Sequence, residues 1–132
     1  MIYELKDTSK VKELFTGAVD SLVTTCFEGM MDSKIYVTDL DDPRSAMAYL
    51  AEFAFFAGEP DERLASFKPR GVVGMVPPDE AWAKLIETCQ PDADRVTRYA
   101  IKKGAKFDRA NLEKLIAALP AGYEIRPIDA DL

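Results

Sequence analysis

Asp39, Asp41 and Asp42 crowd three carboxylates into four consecutive positions. At that spacing they can converge on a hard cation or on a protonated amine. They can equally well accept the N–H groups of their own turn, and the Pro43 that follows favours this second use. EF-hand spacing is absent, and no metal site is assigned. The opposite charge gathers further on, where Arg95, Arg98, Lys102, Lys103, Lys106 and Arg109 make the dense basic segment of an acidic chain. Such a segment can receive the acidic surface of a partner, or form an exposed strand and loop whose cations discourage pairing with a foreign edge. Arg98, alternating with Val96 and Ala100, can instead enter a buried ion pair. Asp39, Asp41, Asp42, Arg95 and Arg98 are therefore the candidate contacts for a substrate or partner.

The sequence contains no histidine. That removes the commonest general base, imidazole-bound zinc, and every Ser-His or Cys-His nucleophile pair. Tyr49, Tyr99 and Tyr123 can donate a proton in acyl transfer, but no surrounding motif gives any of them that task. No catalytic residue is assigned. Cys26 and Cys89 each fall on the apolar stripe of an expected helix, where a small thiol acts as a hydrophobe. Trp82, beside Leu85 and Ile86, reads as core, since indole supplies a large apolar area in one side chain.

These side chains must be held by a fold, and 132 residues suit a single domain over 1–132 that hides roughly 65–70% of its unfolded surface. The apolar fraction of 48% and charged fraction of 30% describe a globular chain that needs no staple. A net charge of −6 repels phosphate backbones and anionic headgroups, so neither nucleic acid nor a membrane surface is an expected partner. The N-terminus, MIYELKDTSK, has no apolar run of signal-peptide length, and no segment approaches the roughly 20 apolar residues of a membrane span. The cytoplasm is the expected location.

Val11, Leu14, Phe15, Ala18, Val19, Leu22, Val23 and Cys26 recur at intervals of three and four, which predicts one helix, capped by Thr8 or Ser9 and ending near Gly29. Residues 35–38 predict a strand running into the aspartate turn. The run 46–57 is long enough for a buried helix, yet its aromatics and the polar break at Glu52 suit two tightly joined strands, and we read a hairpin. Gly58 permits a turn, and Pro60, Asp61 and Glu62 open a short helix through Phe67. A strand over 72–76 meets Pro77-Pro78, after which Asp79 and Glu80 stand in the first turn of a helix ending at Gln90-Pro91. A strand over 96–101, a helix capped by Asp108 with Leu112, Leu115, Ile116 and Leu119 on its apolar face, and a strand over 123–128 complete the chain. Alternation of this kind predicts an α/β or α+β fold, a mixed and partly antiparallel twisted sheet with helices packed on it.

That element order, with YVTDLDDPRSA, FAFFAGEP, the tryptophan helix, RVTRYAIKK and LPAGYEIRPID, resembles the N-terminal half of GNAT-type acetyltransferases related to zwittermicin-resistance proteins. The likeness spans nearly the whole chain through short motifs, and their order of appearance carries it. The resemblance implies a GNAT-like fold and a second half that binds acetyl-CoA through a Q/R-x-x-G-x-G/A loop at a helix N-terminus. Arg70-Gly71-Val72-Val73-Gly74-Met75 has glycines at the wrong spacing for that loop. If this half is itself a worn copy of the fold, the junction after Val76 corresponds to the cofactor loop. Pro77 and Pro78 have no N–H to offer there, and Asp79 and Glu80 already occupy the positive end of the helix. The expectation is an accessory domain, non-catalytic and without a cofactor of its own, partnered by a C-terminal GNAT catalytic domain. The rival is a stand-alone homodimeric interaction module; an independent small-molecule enzyme has only carboxylates and tyrosines behind it.

Overall fold

Ile35 and Val37 send their side chains to one face of their strand and Tyr36 to the other, and each face finds its own apolar cluster. The computed structural model describes residues 1–17, 21–99, 104 and 106–128. By its internal contacts the chain, expected as one domain, divides into two compact units, Met1–Arg95 and Val96–Leu132.

The first unit is built on five strands, β1 (Tyr3–Leu5), β2 (Ser33–Val37), β3 (Ser45–Leu50), β4 (Phe53–Gly58) and β5 (Gly74–Val76), lying side by side in chain order. The first four are antiparallel to their neighbours and β5 is parallel to β4. This is the mixed sheet of an α+β fold, as the sequence predicts. The hairpin reading holds: β3 and β4 pair from Ser45↔Gly58 to Leu50↔Phe53, leaving Ala51 and Glu52 as the turn. Both faces of the hairpin are covered, which is why 46–57 reads as an unbroken apolar run. Ala46, Ala48, Leu50, Phe55 and Ala57 face a cluster containing Val11, Phe15, Val23 and Cys26. Met47, Ala54 and Phe56 face the opposite cluster, with Leu64, Ala65, Trp82 and Ile86.

Covering the first face are a 3₁₀ helix, Thr8–Phe15, and α1 (Ser21–Glu28). The single helix expected from residue 9 to 26 is thus two, and the 3₁₀ helix is capped by Asp7 rather than Thr8 or Ser9. The Asp7 carboxylate accepts from Ser9 N at 3.2 Å, and Gly17 takes a φ of 85°, a left-handed conformation that interrupts helical continuation. Ala18 and Val19 lie outside the described residues. The second face carries α2 (Glu62–Ser66) and α3 (Glu80–Cys89), capped by Asp61 and Asp79 respectively.

In the second unit α4 (Arg109–Ala117) starts from Asp108, whose side chain accepts from Asn111 N at 3.1 Å. The strands expected over 96–101 and 123–128 do not form among the described residues: 96–99 and 123–128 are irregular, and 100–101 lie outside those described. Alternation supplies side chains for a strand but not the neighbouring ladder that must satisfy its N–H and C=O groups. β1 is the reverse case, a strand of three residues too short to register as periodicity, formed because Tyr3, Glu4 and Leu5 pair with Val37, Tyr36 and Ile35.

Candidate functional site

Parallel strands end on the same side, and ligands of such sheets gather in the crevice outside those carboxyl ends. β4 and β5 make one such pair. Their pairing stops at Phe55↔Val76, while β4 runs on to Gly58. Past that point β4 has no β5 partner, and this end of the pair, between residues 58–61 leading into α2 and 77–79 leading into α3, is called the notch below. The sequence reading places a possible cofactor junction only after Val76; the loop beside it, with Gly58 and Asp61, becomes visible once β4 and β5 are known to be parallel neighbours.

The 58–61 loop is pinned to the start of β3. Glu59 N donates to Arg44 O at 3.0 Å, and Ser45 Oγ donates to Glu59 O at 2.5 Å. Trp82 fills the notch. It is fully buried, its Nε1 donates to Gly58 O at 2.8 Å, and its ring lies 4.9 Å from that of Phe56. The carbonyl that ends β4 is thereby satisfied by the chain's own indole. Asp79 fixes the geometry by accepting from Trp82 N at 2.9 Å, and Gln90 Nε2, past the other end of α3, donates to Ala65 O at 3.0 Å.

Both helix entrances are already served by carboxylates. Asp61 accepts from Arg63 N at 2.8 Å, from the Arg63 guanidinium at 3.1 and 2.7 Å, and from Thr38 Oγ1 at 2.8 Å. At α3, Asp79 takes the cap and Glu80 binds Arg95 through both oxygens, at 3.1 and 2.6 Å, which holds the Glu80 carboxyl below its ordinary range. The α3 entrance is preceded by Pro77 and Pro78, which have no N–H. A diphosphate approaching either helix entrance would meet carboxylates, Asp61 at α2 and Asp79 and Glu80 at α3.

Burial pushes the Asp61 carboxyl up, but the hydrogen bonds from Arg63 and Thr38 outweigh it, and the net effect lies below the ordinary 3.8. A depressed folded value means that the stabilisation is complete above 3.8 and is lost as the pH falls below 3.8 through the folded value. The difference in Tm between the wild type and Asp61→Asn is therefore expected to be widest near neutrality and to close in acid. A gap that stays constant into acid would count against this role for Asp61.

The candidate contacts are engaged separately. Asp39 accepts from the N–H groups of Asp41 and Asp42 at 2.8 and 3.1 Å, and those two bonds hold its carboxyl below the ordinary range. It serves the turn after β2, where Lys10 Nζ also donates to Leu40 O at 2.6 Å. Asp41 and Asp42 are exposed, with Asp42 3.4 Å from Arg44 Nε. No cluster of three or more metal-ligating side chains occurs among the described residues. Arg95 is bound to Glu80 and lies 3.5 Å from Glu87, so its contacts are internal to the first unit. Arg98 is exposed rather than buried, and Lys102 and Lys103 lie outside the described residues. Cys26 and Cys89 are free thiols; Cys26 is buried, and burial pushes its thiol up.

A family profile described as GNAT acetyltransferase matches residues 12–132. Among solved structures, the chain is similar to the crystal structure of a GCN5-related N-acetyltransferase-like protein from Streptococcus suis 89/1591, with 38% sequence identity and a TM-score of 0.68. The match covers 86% of this chain and 47% of that one, so the chain spans about half the length of its structural relative. No curated protein matches.

Proposed function

The chain belongs to the GNAT acetyltransferase family, and from that membership we propose that it acts as the N-terminal accessory half of a two-part N-acetyltransferase, with no catalytic centre of its own. In the parent family, acetyl-CoA supplies the acetyl thioester that is transferred to an amine. The residues of this chain do not hold that cofactor; they shape or stabilise the half that does. Kinship with zwittermicin-resistance proteins belongs to the same proposal and rests on YVTDLDDPRSA and LPAGYEIRPID.

One observation carries the reading: the notch between β4 and β5 is closed by Trp82 through its bond to Gly58 O. Carboxylates at both flanking helix entrances reinforce it, and the length of the Streptococcus suis relative, about twice the matched part, agrees with it. In this role Asp39, Asp41 and Asp42 add negative charge that attracts a cationic amine acceptor, while Arg98 meets an acidic face of the catalytic half and Arg95 stays with Glu80 and Glu87. We place the protein in the cytoplasm; no helix among the described residues is long and apolar enough to cross a membrane.

Isothermal titration of the purified chain with acetyl-CoA tests the proposal. The expected result is no saturable heat, a Kd weaker than about 1 mM. One-to-one binding in the micromolar range would end the accessory reading.

A further inference from the structure

Leu112, Leu115, Ile116 and Leu119 form a stripe along α4 and the turn after it, with 44, 60, 49 and 37% of their surfaces exposed. Tyr123 and Ile125 beyond them are exposed as well. Every described residue of the second unit is exposed, and α4 buries none of its side chains. The unit is shorter than the roughly 40 residues below which a chain seldom holds a core by itself. A nine-residue helix is also marginal in water without a surface for its apolar face. Scattered apolar side chains on a surface need no explanation, but a stripe at i, i+3, i+4 and i+7 continued by two more marks a contact.

We propose that this stripe, with Tyr123 and Ile125, is the docking surface for the acetyl-CoA-binding half of the enzyme; the inference rests on the accessory reading above. Two observations favour that occupant over a second copy of this chain. The family profile runs through Leu132, so the stripe is part of the family's own sequence and not an appendage. The relative with 38% identity carries about as much chain again beyond the matched part, which is a complement of suitable size. Lys106, exposed just before α4, adds positive charge beside the stripe and suits a partner face with an apolar centre and a carboxylate at its rim. The stripe enters as an amphipathic helix laid in a groove, anchored at i, i+3, i+4 and i+7.

The test is co-expression of the full 132-residue chain with the portion of the Streptococcus suis protein that it does not match. Co-purification in equal amounts is expected, with amide exchange across residues 109–117 slowed at least about ten-fold relative to the chain alone. The double variant Leu115→Glu, Ile116→Glu is expected to weaken the complex at least about 100-fold. Trp82 fluorescence, reporting the first unit, should be unchanged in that variant, which separates lost docking from lost folding. The proposal is overturned if the halves do not co-purify, or if the double variant binds as well as the wild type. Slow exchange of 109–117 in the chain alone overturns it too, as does a light-scattering mass showing that the chain covers the stripe with a second copy. Failure of the accessory reading is seen elsewhere, as binding of acetyl-CoA by this chain, so the two outcomes are distinguishable.

Discussion

Trp82→Ala is expected to destabilise the Met1–Arg95 unit by about 3–5 kcal/mol. The side chain is fully buried among Phe56, Leu64, Ala65 and Ile86, so truncation leaves a void that two short helices and a sheet edge refill only in part. It also strips Gly58 O, on a half-buried residue, of its 2.8 Å partner, a loss of about 0.5–1.5 kcal/mol. A small domain is stable by roughly 5–15 kcal/mol, so a large share of that margin is at stake. Urea unfolding followed by circular dichroism checks the figure; a loss below about 1 kcal/mol would mean that the notch is not closed in this way. Trp82→Phe, which keeps most of the area and loses only the N–H, should recover more than half of the loss. Free indole added to Trp82→Ala should raise its Tm with concentration, as a ligand that binds only the folded form does. The same variant bears on the proposed function. Acetyl-CoA should still fail to bind, since Asp61, Asp79 and Glu80 remain.

Gly58→Ala is expected to be nearly as damaging, at about 3 kcal/mol or more. Two causes combine at this position. Gly58 has a φ of 77°, a conformation that costs an L-residue about 1–2 kcal/mol. A Cβ built there would lie 2.0 Å from the backbone oxygen of Arg44, which no rotamer change can move. Relief requires the 58–61 loop to lift from β3, breaking the Glu59 N–Arg44 O bond and the Ser45 Oγ–Glu59 O bond and carrying Gly58 O away from Trp82. Blue or red shifts of Trp82 fluorescence should therefore accompany the stability loss. Gly29→Ala is the control: its φ is also positive, at 65°, but no atom lies within 4 Å of the added carbon. Equal losses at the two positions would show that backbone conformation alone, and not the close approach to Arg44, governs Gly58.

Legibility differed from element to element for physical reasons. The start of α3 is legible because Asp79 and Glu80 after two prolines leave few alternatives, and the hairpin is legible because Glu52 breaks an aromatic run at the turn. Helix continuity from Ser9 to Cys26 was suggested by period alone, which cannot register a left-handed Gly17 or a tightening to 3₁₀. Of the strands expected over 96–101 and 123–128, the described residues 96–99 and 123–128 fail on the same principle as β1 succeeds, since a strand exists only where a neighbour completes its hydrogen bonds. Among the site residues, the turn-closing use of Asp39 follows from local chain geometry, two and three residues ahead, and is therefore readable. The pairing of Arg95 with Glu80, fifteen positions back, is not.

What the linear order of residues determined by itself was local and chemical: no imidazole chemistry, a net negative charge, acidic residues at helix starts, and a mixed sheet. What the tertiary structure alone decided was adjacency. That β5 lies parallel beside β4, that the notch between them receives Trp82, and that Gly58 O faces the indole across 24 positions of sequence all depend on which strands become neighbours. Local preferences act over a few residues, whereas neighbourhood is set by the burial of distant apolar faces against one another, a quantity that no short window of sequence contains.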